Sequence, residues 1–131
     1  MTDPQSLRYT PSHEWVKLEG GLATIGISKF AVEQLTDLIL IDLSRCTPGT
    51  KVQKGKPFGE VESVKAVADL YAPIDGEVVE VNPAVTADVQ VLAEDPYDRG
   101  WLIKVRPSDP STIDELLDWD AYQKQIAESP H

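Results

Sequence analysis

Cysteine, histidine and positive charge are all scarce in this chain. Cys46 is the only cysteine, so no intrachain disulfide can form, which suits a reducing compartment. The only two histidines, His13 and His131, stand at opposite ends, and no cysteine lies near either in a zinc-ligand spacing. Twelve basic residues against 22 acidic ones leave a net charge of −10. Nucleic acid is bound through Lys and Arg, so this balance argues against it. An acidic surface favours solubility and partners with basic faces. Long hydrophobic runs are missing too. The longest, around Leu38–Leu43, is interrupted by Asp42 and falls far short of the roughly 20 residues a membrane span needs. The start, Met1-Thr2-Asp3-Pro4, is neither an apolar signal peptide nor an Arg-rich, acid-poor transit peptide. A cytoplasmic protein is expected; a trimmed organellar chain with a new Met1 would read the same.

The 131 residues suffice for one self-supporting core, and residues 1–131 are expected to form a single domain. "HEWVKLEGGLATIGI" reads as two strands around Gly20-Gly21, a pair able to take the positive φ angles of a tight hairpin. Ser28 is placed to cap a short helix near 28–36, through "KFAVEQL". "LILIDL" reads as a strand buried on both faces. Pro48, Gly49 and Gly55 mark turns in the polar connection that follows. "FGEVE" and "VADLYA" are short strands flanking Ser63-Val64-Lys65-Ala66, and "EVVEVN" and "WLIKV" are further strands. Residues 83–100 read as loop at both ends. Near the C-terminus, Ser111 precedes a short helix, and Asp120 with Gln123 resembles a capping box for a second. The expected class is mainly β, a small sheet sandwich or barrel with terminal helices packed on it.

One residue stands out. Lys65 is a lone cation at a hairpin tip in an acidic chain, flanked by Val64 and Ala66. An exposed lysine there is ordinarily a solubility device. Two features set this one apart: an apolar collar occupies an exposed position, and the tip lacks the Asn-Gly chemistry of a common two-residue turn. A tip is also where a modifying enzyme reaches a side chain without unfolding anything, and a neutral lysine amine is a nucleophile. The other candidates read as structural. His13-Glu14 lacks metal partners. Cys46, beside Arg45, lacks a neighbouring histidine. Trp15, Trp101 and Trp119 are scattered as packing residues. No catalytic constellation is present, and a presented lysine suits a carrier better than an enzyme.

"HEWV", "ATIGIS", "VESVKA", "YAPIDGEVVEVN", "EDPYDRGWLIKV" and the tail "DELL…AYQKQI" resemble, in that order, the H-protein family of the glycine cleavage system, from about Arg8 to Glu128. The resemblance implies a flattened β-barrel or sandwich hybrid of the lipoyl-domain type. It would have two small antiparallel sheets, the lysine on an exposed hairpin, and helices at the C-terminus. It implies that Lys65 carries lipoic acid in amide linkage. The arm would be loaded by glycine decarboxylase, a pyridoxal-phosphate enzyme, unloaded by a folate-dependent aminomethyltransferase, and reoxidised by dihydrolipoamide dehydrogenase. The chain itself would be non-catalytic and monomeric, and a lipoate-attaching enzyme would read Glu62, Val64 and Ala66 around the lysine. Ser12, Glu14 and Asp69 match positions that shelter the loaded arm, the carboxylates suiting a cationic aminomethyl group. Thr36, the longer "SRCTPG" loop, Pro83 and Asp88-Val89 depart from the common pattern. An H-like protein that relays or stores lipoate would carry the same hairpin, as would an unmodified interaction module. A biotin carrier would place methionines beside the lysine, and a lipoyl domain of a 2-oxoacid dehydrogenase would continue into a linker.

Overall fold

The computed structural model describes residues 3–35 and 37–128. Among these residues nine strands form two antiparallel sheets, neither of them closed. In chain order they are β1 (Arg8–Tyr9), β2 (Glu14–Glu19), β3 (Leu22–Ile27), β4 (Leu38–Asp42), β5 (Lys51–Val52), β6 (Pro57–Ser63), β7 (Val67–Tyr71), β8 (Gly76–Val81) and β9 (Ile103–Pro107). The larger sheet runs β1-β2-β3-β9-β8-β5, and the smaller runs β4-β6-β7. The expected mainly β, two-sheet architecture is what the chain adopts.

Local chemistry explains the main elements. Gly20 and Gly21 both take positive φ (61° and 81°), the geometry that lets a two-residue turn match strand twist between β2 and β3. Ser28 accepts from Ala31 N–H at 3.2 Å and so caps α1 (Lys29–Leu35). The helix expected near 28–36 is therefore present through Leu35; Thr36 lies outside the described residues. The inner faces of both sheets meet in one apolar core that includes Ile25, Ile41, Val61, Leu70, Ile103 and Val105. Trp15, Tyr9 and Tyr122 build a second aromatic cluster where the C-terminal helix α4 (Trp119–Glu128) lies on β1.

Several expectations are corrected. β4 is not buried on both faces: Leu38 and Ile41 face the core, but Ile39 is 49% exposed and Leu40 42%. A register shift between Leu38 and Leu40 inserts Ile39 as an extra residue against β6, and among the described residues nothing covers Ile39, Leu40 and Val67 on the outer side of this three-stranded sheet. The segment read as loop holds two short helices, α2 (Pro83–Ala87) and α3 (Gln90–Glu94). Asn82 caps α2 through Ala84 N–H and donates its amide to the carbonyls of Arg99 and Trp101, which pins the whole excursion. Near the C-terminus, Asp109 rather than Ser111 caps the first turn, a 3-10 helix over Pro110–Glu115. Asp118, not Asp120, accepts from Ala121 N–H at the start of α4. In both places an aspartate lies within two residues of the expected cap. Periodicity alone cannot choose between such neighbours.

Candidate functional site at a hairpin tip and its cleft

β6 and β7 end in a tip of Val64-Lys65-Ala66. Ser63 N–H donates to Ala66 O at 2.8 Å, and Ala66 N–H donates back to the Ser63 hydroxyl at 3.2 Å rather than to its carbonyl. The serine side chain thus closes the turn, so no residue at the tip needs a positive φ; among the described residues only His13 and Asp37 have one without being glycine. This explains the missing Asn-Gly signal. Val64 N–H also donates to Asp37 O at 3.2 Å, tying the tip to the start of β4. Lys65 is exposed, and among the described residues nothing hydrogen-bonds or ion-pairs with its amine. Val64 is 70% exposed, Ala66 is exposed, and Glu62 is half-buried on β6.

A cavity of about 200 Å³ lies between the sheets beside this hairpin, bordered by Ser12, Glu14, Gln34, Leu35, Asp69 and Leu70 among others. The three residues singled out as an arm shelter therefore do meet. Their states differ. Glu14 is only 1% exposed. Its Oε1 accepts from the Thr10 hydroxyl at 2.6 Å and the Ser12 hydroxyl at 2.5 Å, and its Oε2 accepts from Tyr71 N–H at 3.2 Å. A side chain of the larger sheet thereby binds the backbone of the smaller one. A carboxylate has about four accepting sites, so three donors leave one of them over. Burial pushes the Glu14 carboxyl above the usual range, against the opposing pull of the Ser12, Thr10 and Tyr71 hydrogen bonds. Asp69 is exposed, and strand alternation places it with Val67 and Tyr71, opposite Ala68 and Leu70.

A larger opening of about 590 Å³ continues on the other side of Glu14, past Thr10, Tyr71, Pro73 and Leu116. The sequence did not flag Thr10, which accepts from Glu14 N–H at 3.1 Å while donating to the same residue's carboxylate. His13 shapes the same corner. Its φ of 78° is rare for a bulky residue and aims Ser12 and Glu14 from the loop joining β1 and β2. Its Nδ1 lies 2.8 Å from the Tyr122 hydroxyl, which is 2.6 Å from Ser28 Oγ. No local pattern announces a contact between residues 13 and 122. His13 is thus a structural residue, as its lack of metal partners suggests; His131 lies outside the described residues. Cys46 is buried, donates to Phe58 O at 3.1 Å, and burial pushes its thiol up to about 11 despite Arg45.

The model of the glycine cleavage H-protein family matches residues 7–129. The chain belongs to that family. It is 50% identical over 123 residues to a glycine cleavage system H protein of a Cyanothece species, covering 94% of each chain. It is 43% identical over 126 residues to one of Bacteroides fragilis, covering 96% of this chain and 98% of that one. A crystal structure of a glycine cleavage system H protein from Mycobacterium marinum superposes with a TM-score of 0.86 at 40% identity, covering 95% of this chain and 99% of the other. Pro83, a departure from the common pattern, is simply the first residue of α2, where proline is well tolerated. Among the described residues no helix is long and apolar enough to cross a membrane.

Proposed function

We propose that Lys65 is lipoylated and that the chain is the non-catalytic carrier subunit of glycine cleavage. In this role it shuttles the aminomethyl group of glycine between glycine decarboxylase, the folate-dependent aminomethyltransferase and dihydrolipoamide dehydrogenase. The observation that carries this reading is the tip itself: an exposed, unpartnered lysine on a hairpin held rigid at its base by Ser63 and Asp37, in a chain that matches the family over nearly its full length. The residues fit the group. Among the described residues Lys65 has no competing partner to break, and an apolar cavity with one buried carboxylate lies along the same hairpin. Bound lipoic acid supplies a dithiolane that accepts and releases both the one-carbon group and electrons.

The protein's own residues anchor and shelter. Lys65 fixes one end of the arm, so its reach sets a high effective concentration at each partner's site. Ser12 and Glu14 offer a hydroxyl and a desolvated carboxylate to a cationic amine, an interaction strengthened by the surrounding apolar walls. Asp69, exposed at the cavity rim, adds a second negative charge where such a cation enters.

Intact-mass analysis after incubation with a lipoate-attaching enzyme, lipoate and ATP tests this. One lipoyl increment is expected, absent in Lys65→Arg. An unmodified wild type would refute the carrier role and favour an unmodified interaction module. A lipoylated chain that fails to support reconstituted glycine decarboxylation would instead point to a lipoate relay.

A further inference from the structure

Among the described residues six large hydrophobic side chains are exposed: Leu18, Ile39, Leu40, Val64, Val67 and Tyr71. Leu18 lies on the larger sheet, and Tyr71 pairs with Pro57 at the far end of the hairpin, where it borders the larger opening. The other four gather at the Lys65 end of the small sheet. Leu40 pairs with Glu62, and Glu62 pairs with Val67, so these three form one row across the outer face of the small sheet. The bulge at Ile39 turns a second apolar side chain outward beside Leu40. Val64 stands above this row at the tip. The next row is Asp42, Glu60 and Asp69, all acidic. Its one neutralised member is Glu60, 3.3 Å from Arg45. The result is an apolar ledge around the base of Lys65, with Glu62 at its centre and carboxylates behind it.

We infer that this outer face of β4-β6-β7, with Ile39, Leu40 and Val67 as its apolar anchors, is the docking surface for the enzyme that acylates Lys65; this rests on the carrier role proposed above. Reach selects that occupant. Enzymes that act on a finished arm meet its far end and need not approach the tip. An attaching enzyme must bring its activated acyl group to the lysine amine itself. There the neutral amine attacks the acyl carbon, the activating group leaves with its bonding electrons, and the amine loses one proton. The active site can be no further from the sheet than one lysine side chain, so the enzyme's surface lies over the residues that surround Lys65. Charge complementarity gives that surface its chemistry: apolar at its centre, with a cation opposite Glu62 and basic residues opposite Asp42 and Asp69. Isolated exposed apolar residues are ordinary, but four gathered at one end of one face mark an interaction site.

The test is the steady-state kinetics of Lys65 acylation on the full-length chain, read by intact mass. The double variant Ile39→Ser/Leu40→Ser should raise KM about tenfold with kcat within about twofold, because the contact is made on docking and not in the chemical step. Val67→Thr keeps the branched shape and should raise KM about threefold, and Leu18→Ser on the other sheet should change nothing. Added salt should raise the wild-type KM. Circular dichroism confirms folding of each variant; should the double variant misfold, Val67→Thr and the salt series decide. Wild-type acylation with an unchanged KM in the Ser and Thr variants overturns the docking surface alone. A wild type that takes no acyl group overturns the carrier role and this surface together. Concentration-dependent dimerisation abolished by the Ser variant, with acylation kinetics unchanged, would assign the face to a second copy of the chain and overturn the inference.

Discussion

Replacing Tyr122 with phenylalanine removes one oxygen and keeps the ring, which stacks on Tyr9 at 4.3 Å with the planes 1° apart. That oxygen serves two partners, His13 Nδ1 at 2.8 Å and Ser28 Oγ at 2.6 Å. Burial pushes the phenol up to about 12, so it is neutral at any working pH. Each hydrogen bond contributes about 1 kcal/mol net, and a buried partner left unsatisfied costs about 1–3 kcal/mol. Ser28 is fully buried but still accepts from Ala31 N–H, and half-buried His13 can turn to water. The expected loss is therefore about 2 kcal/mol. The matched control is Tyr9→Phe. It trims the other half of the same stack; its hydroxyl donates to Pro4 O at 2.7 Å and also meets the Tyr97 side chain, which keeps a second partner in Lys29 N–H; that loss should be about 1 kcal/mol. Urea unfolding at neutral pH reads both, with unchanged m-values showing that compactness is preserved. A further expectation separates this linkage from generic packing. His13 is held at a strained φ by backbone bonds to Thr10 and Ser28 as well as by Tyr122. Loss of the hydroxyl should shift the amide resonances of Ser12 and Glu14, which Tyr9→Phe should leave in place. Tyr122→Phe costing no more than Tyr9→Phe, with those amides unmoved, would refute the linkage between α4 and the cleft.

Glu14 gives a pH prediction of definite sign. Burial raises its folded-state pKa, so its contribution to stability is complete below the ordinary glutamate value of about 4.3 and is lost as pH rises through the raised value. The stability of wild type relative to Glu14→Gln should fall with pH across that window, at no more than about 1.4 kcal/mol per pH unit for one proton; urea unfolding from pH 4 to 8 checks this, and a rise instead would contradict it. Gly26→Ala should cost about 3 kcal/mol and lower Tm by about 10 °C, because its Cβ would lie 2.5 Å from the buried ring of Trp15 directly opposite on β2. Calorimetry and Trp emission report that loss, and a Tm within a few degrees of wild type would show that the ring yields.

Elements set by local chemistry were legible from the amino acids alone. The Gly20-Gly21 hairpin, the Ser28 cap and the Lys65 hairpin each rest on contacts within a few residues. Burial state was less legible where it depended on what covers a face. "LILID" has the composition of a doubly buried strand, yet among the described residues nothing covers Ile39 and Leu40 on the outer side of its sheet, and a bulge turns Ile39 outward. The short helices after Asn82 follow from a cap whose amide binds carbonyls 17 and 19 residues away, which no local pattern encodes. Ser12, Glu14 and Asp69 were found through family resemblance, and they border one cavity. The state of Glu14 was not legible, because one of its partners, Tyr71 N–H, is a backbone group 57 residues distant.

β7 divides its side chains between the proposed docking face and the proposed shelter. Side chains alternate along a strand, so Ala68 and Leu70 face the cleft and Val67 the outer side, while Asp69 borders the smaller cavity and Tyr71 the larger opening. A partner seated on Leu40 and Val67 would leave Ala68 and Leu70 untouched, whereas Asp69 belongs both to the acidic outer row and to the cavity rim. A backbone group of this strand, Tyr71 N–H, reaches Glu14 and joins the sheets. A partner that bent the end of β7 outward would lengthen that bond, one of the three that fix the Glu14 carboxylate in the proposed shelter.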